Sequence, residues 1–171
     1  MNPGGSRTVV VLFSRYHNLF SRFVCLASGG GYTHVSLSLD PDSESYYSFN
    51  RKGFRRETPR FHKRMDRHWM KLYLEIPEDA YARMEQRIEA MRRQEKLYRY
   101  TRLGVLLCLM HIPVKLPCAY FCSQFVAELL QAAKCVHLSK KASLYMPNQL
   151  ERELRTLPCV SRVEYALGGA V

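Results

Sequence analysis

Residues 120–130 of this chain read YFCSQFVAELL, and residues 31–39 read GYTHVSLSL. The first segment sets Phe125, Val126, Leu129 and Leu130 at helical spacing and predicts a helix over 121–133, the best signalled in the chain. The second alternates, with Val35, Leu37 and Leu39 on one face and His34, Ser36 and Ser38 on the more polar one, and predicts a strand over 33–39. A helix that begins at a cysteine and a strand that begins near a histidine are therefore the two elements around which the rest is arranged.

Working outward, residues 8–13 (TVVVLF) form a β-branched run expected to be a buried strand. Residues 19–26 (LFSRFVCL) space Leu19, Phe23 and Leu26 as a short helix would, and the glycines of 28–31 (SGGG) end it in a loop. A turn at 41–43 (PDS) leads to 45–50 (SYYSFN), the next strand of a hairpin, and 69–76 (WMKLYLEI) alternates as a third strand. The PED of 77–79 opens a helix, since proline suits an early position and acids favour the N-terminal dipole. Tyr81, Met84, Ile88 and Met91 give that helix its apolar stripe. Residues 103–112 (LGVLLCLMHI) read as a buried helical turn or two, broken at 113–117, and 160–165 as an edge strand. Strands clustered early, with helices around them, predict an α+β fold in a single domain over 1–171.

The 26 Lys and Arg exceed the 15 Asp and Glu by enough to give a formal charge of +11, which favours anionic partners. The densest basic stretch runs from Arg51 to Arg67 (RKGFRRETPRFHKRMDR), a polar connection between two strands that reads as a solvated loop or a contact for an anionic surface. No helix-turn-helix, zinc-finger or aromatic RNA-binding signature accompanies the charge, which argues against nucleic acid. The longest apolar run, residues 103–112, is half of the roughly 20 residues a spanning helix needs, and the start of the chain does not resemble a secretory signal. A cytoplasmic location is the expectation, and the six cysteines then read as thiols. Without C-x-x-C or Cys/His spacing that fits zinc, neither a metal nor a cofactor is expected.

Cys122 starts the strongest helix, where unpaired N–H groups and the positive end of the dipole stabilise a thiolate and can donate to an oxyanion. His34, on a strand after a glycine loop, can reach such a helix end and take the thiol proton. His17, His62 and His68 fall in polar segments, and His111 and His137 near helix ends, so their claims are weaker.

These two segments, GYTHVSLSL and YFCSQFVAELL, resemble the motifs of the circularly permuted NlpC-like hydrolases of the papain-like superfamily, a group that includes YiiX-type proteins and relatives of lecithin:retinol acyltransferase. In that permuted branch the histidine strand comes first and the cysteine helix last, as here. The resemblance implies an antiparallel sheet packed against helices, with Cys122 as nucleophile and His34 as base. It places the residue that orients the histidine on the following strand, where Ser48 and Asn50 share a face; relatives often carry an acid there, and Glu44 is the nearest carboxylate before that strand. Tyr32 matches the aromatic preceding the histidine, lining the cleft or filling the core, and Tyr120 stands beside the cysteine as a second substrate-binding candidate. The implied function is a cysteine hydrolase or acyltransferase acting on an amide or ester of a peptide, lipid or other small molecule. The alternative is a non-catalytic binding protein on the same fold.

Overall fold

The valine run of residues 8–13 lies at the middle of the sheet. In this computed structural model, which describes residues 5–16, 19–27, 29–58 and 65–166, strand β1 (Ser6–Tyr16) pairs with β2 (His34–Ser38) on one side and β5 (Met65–Pro77) on the other. Beyond β2 come β3 (Tyr46–Asn50) and β4 (Gly53–Glu57), and beyond β5 comes β8 (Val160–Ala166). The order is β4-β3-β2-β1-β5-β8, with every pairing antiparallel. Two short strands, β6 (Arg99–Tyr100) and β7 (Ala119–Tyr120), pair in parallel apart from it. The helices are α1 (Leu19–Ala27), α2 (Glu78–Arg93), α3 (Arg102–Leu109), α4 (Cys122–Ala132) and α5 (Pro147–Leu154). The fold is α+β.

The period of two decides what each face does. Val9, Val11 and Phe13 of β1, with Val35, Leu37, Leu72 and Leu74 of its neighbours, enter one core with Met84 and Ile88 of α2 and Phe125, Val126 and Leu130 of α4. Phe125 meets Phe49 at 5.3 Å and Phe54 at 5.7 Å between ring centroids, tying α4 to β3 and β4. Burying each such side chain contributes about 1.5–3 kcal/mol, so α4 is held in place by its whole inner face. The other face of the sheet carries Val10, Leu12, Tyr46 and Tyr73 as a smaller cluster, and β1, β2 and β3 also bury Ser14, Ser36 and Ser48.

Three segments depart from the sequence reading. The first part of the basic stretch is not a loop: Gly53–Glu57 is the edge strand β4, which buries Phe54 on the face toward α4 and Glu57 on the opposite face. The hairpin joining it to β3 closes at Asn50 and Gly53, and Gly53 has φ +91. A Cβ there would strike the Tyr98 carbonyl, so both conformation and space require glycine. Helix α5, unmarked in the sequence reading, packs against α4 by Leu150 and Leu154. Residues 103–109 do lie in a helix, α3, which ends before 110–112, yet the run is not buried all round, for Leu103, Leu106, Met110 and Ile112 are exposed. Strands β1 and β5 also run past their expected ends. His17, Ser28, His62 and the rest of residues 59–64 lie outside the described residues.

Candidate active site

His34 opens β2 and Cys122 opens α4, and the fold brings the two together: hydrogen bonding and charge between them act on the imidazole. Both are buried, His34 at 7% exposure and Cys122 at 5%. The imidazole is held from behind. Its Nε2 lies 3.0 Å from Glu57 Oε2 and 3.2 Å from Ser48 Oγ. Ser48 spends its one hydroxyl proton on the Val35 carbonyl, at 2.9 Å, and an ionised Glu57 can only accept. The hydrogen on this side must therefore sit on Nε2, which leaves Nδ1 as the nitrogen for the Cys122 thiol.

Glu57 is fixed in turn. Asn50 Nδ2 donates to Glu57 Oε1 at 3.1 Å, and Asn50 Oδ1 accepts from the Lys52 backbone N–H at 2.9 Å within the hairpin turn. The two sequence candidates for the orienting residue thus take different parts. Ser48 touches His34 directly, whereas Asn50 reaches it through Glu57. The acid itself comes from neither of them nor from Glu44; it is Glu57, one strand further on. It escaped notice because it lies within the most basic stretch of the chain. The signal that could have revealed it is local: Asn-Arg-Lys-Gly closes a two-residue hairpin, and the following GFRRE then places Glu57 opposite Tyr46.

Electrostatics follow from this packing. Burial by itself disfavours an imidazolium, but the Glu57 charge and hydrogen bonds to Cys122 and Glu57 outweigh it and raise the His34 pKa well above its ordinary 6.5. The surroundings of His34 therefore favour its protonated form. Two tyrosines border the group. The Tyr16 ring stands edge-on to His34 at 5.1 Å, and burial, with the charge of Glu57, pushes its phenol up. Burial and the charge of Cys122 push Tyr100 up likewise, so both hydroxyls stay neutral beside the pair. Tyr16 is a site neighbour that sequence reasoning missed, because it lies in the part of β1 beyond residue 13.

The start of α4 suits an anion. Phe121 provides no side-chain cap, and the first turn contains no acid, so its N–H groups are not consumed by a carboxylate. Such an end stabilises a thiolate and can donate to a developing oxyanion. Tyr32 is partly buried, its ring 5.8 Å from Phe13 and its N–H donating to Asn148 Oδ1 at 2.6 Å. Tyr120 is not a wall of the site. Its ring sits in the core 5.0 Å from Phe49, and its hydroxyl donates to Glu128 at 3.1 Å.

The Gly-rich loop before β2 is fastened by the same Asn148, which also donates to the Gly30 carbonyl. Gly31 has φ +88, and a Cβ there would lie 2.6 Å from Asn148 Oδ1, so the loop can close on α5 only with glycine at this place. The cavity lined by Arg87, Met91, Tyr120, Phe125, Glu128 and Leu129 shares no residue with the Cys–His pair. Among the described residues no group of three or more His, Cys, Asp or Glu could hold a metal ion, and no helix is long and apolar enough to cross a membrane. Comparison with protein-family models, with curated proteins and with solved structures finds no match.

Proposed function

We propose that this chain is a cysteine-dependent acyl-transfer enzyme, an amidase, peptidase or acyltransferase, built on the permuted NlpC-like papain fold. The observation that carries the reading is the buried series Glu57–His34–Cys122, in which the carboxylate fixes the imidazole tautomer and the imidazole faces the thiol. Cys122 Sγ attacks the carbonyl carbon of an amide or ester, and the oxyanion forms beside the first-turn N–H groups of α4. His34 gives its proton to the leaving amine or alkoxide as the C–N or C–O bond breaks. Water or an acceptor amine or alcohol, deprotonated by His34, then attacks the thioester and releases Cys122. Cysteines held as thiols, Cys118 among them on the surface, fit a reducing cytoplasmic setting.

The burial of Cys122 favours a second reading: a binding protein that keeps the fold without turnover. One experiment separates them. With a p-nitrophenyl acyl ester the enzyme releases a burst of about one p-nitrophenolate per chain, and the acyl mass appears on Cys122. Absence of both, or an adduct that survives in Cys122→Ser, would leave the binding protein.

A further inference from the structure

Helices α1 and α3 share a small core of Val24, Val105, Cys108, Phe121 and Met146, separate from the main one. Phe121 immediately precedes Cys122, so this sub-core adjoins the candidate site. Its two helices do not hide their remaining apolar side chains. Phe23 and Leu26 on α1 and Leu103, Leu106 and Met110 along α3 are between 48% and 84% exposed. Leu103 and Leu106 on α3 and Met110 at its C-cap fall at i, i+3 and i+7, a single stripe along the helix. An α3 serving only to fill the core would carry polar residues there.

The sequence of the two helices is one-sided in charge, although Glu153 stands near Lys140 in space. No Asp or Glu occurs in residues 1–39, 96–127 or 129–150, so all of α1 and α3 lies within acid-free sequence. Exposed cations accompany the helices: Arg22 within α1, Arg102 at the start of α3, and Lys140 and Lys141. Lys140 is near enough to α3 for its charge to act on Cys108. A second copy of the chain would bring the same cations against themselves, and an acidic protein would not need the leucines. Exposed leucine and methionine accompanied by exposed cations match the headgroup boundary of an anionic bilayer, which accepts both.

We propose that α1 and α3 form a face that docks on anionic membranes, seating their apolar side chains at the acyl boundary while Arg22, Arg102, Lys140 and Lys141 meet the phosphates. The face is independent of acyl transfer. The test is co-sedimentation of the full chain with vesicles of phosphatidylcholine alone or with phosphatidylglycerol added, across a salt series. Binding is expected to need phosphatidylglycerol, to weaken as salt rises, and to fall at least tenfold in Leu106→Glu/Met110→Glu. Both sites are exposed, so that variant should keep the native melting temperature, while Cys122→Ser should bind as the native protein does. Lack of binding to phosphatidylglycerol vesicles, or equal binding by the double variant, overturns the proposal. So does a concentration-dependent dimer that the double variant abolishes, for the stripe would then be a contact between copies. If Cys122 proves inert while the vesicle results stand, only the acyl-transfer reading fails.

Discussion

Replacing Glu57 by Gln keeps the shape of the side chain and removes its charge, and the consequences can be worked from two bonds. The carboxylate accepts from His34 Nε2 at 3.0 Å and from Asn50 Nδ2 at 3.1 Å. A glutamine has one acceptor oxygen, so if that oxygen stays on His34 its amide N–H groups oppose those of Asn50. A charge-assisted bond becomes a neutral one, a loss of about 1–1.5 kcal/mol, and a buried donor is left facing a donor, a further 1–3 kcal/mol or so. A total of about 3 kcal/mol lowers the melting temperature of a domain this size by roughly 6–12 °C.

The charge-dependent share has a definite sign with pH. Glu57 helps hold the His34 pKa above its unfolded value of about 6.5, so this stabilisation is complete below that pH and fades as pH rises through the raised native pKa. Circular-dichroism melts near pH 6 and at alkaline pH should therefore show a gap between native protein and Glu57→Gln that narrows as pH rises, and the histidine NMR titration should move to lower pH. Adding Asn50→Asp gives the introduced amide an acceptor and should recover part of the loss. A melting temperature near pH 6 within about a degree of the native value, or no recovery in the double variant, would refute the argument.

Other outcomes follow from the same geometry. Gly53→Ala puts a side chain at φ +91 against the Tyr98 carbonyl, and should cost about 2–4 kcal/mol in chemical denaturation because left-handed strain and overpacking add. Ser48→Ala leaves the Glu57–His34 bond in place, so it should lower the rate of Cys122 acylation far less than Glu57→Gln does, measured by mass spectrometry with an activated ester. Phe125→Ala, at the junction of α4 with β3 and β4, should destabilise by about 3–5 kcal/mol in urea melts, as expected for a large aromatic removed from a packed core.

Much of the architecture is legible in the sequence because the responsible patterns are local. β1, β2 and α4 each bury a face whose period of two or 3.6 residues can be counted, and Cys122 and His34 stand at the starts of such elements. What escaped is what tertiary context decides. GFRRE is three-fifths charged, and it becomes strand β4 because Phe54 packs under Phe125 while Glu57 finds His34 and Asn50. Composition describes that segment as solvated; only its pairing with β3 turns one carboxylate inward. The apolar run of α3 failed in the opposite way, since hydrophobicity all round a short helix does not say which side the core will take. Tyr120 misled for a related reason, as adjacency to Cys122 in sequence put its ring on the core side of α4 rather than at the thiol.

The central claim is that Cys122 is a nucleophile activated by His34, and competitive alkylation tests it most directly. Native protein treated with limiting iodoacetamide at several pH values is digested and the six cysteines are quantified by mass spectrometry. Cys118 is the internal reference, an exposed thiol that would react first if access alone decided. The account predicts that Cys122 is labelled ahead of Cys118 despite its burial, and that His34→Ala abolishes the preference. Labelling in order of exposure, with Cys122 and Cys108 last and Cys122 unaffected by His34→Ala, would contradict it.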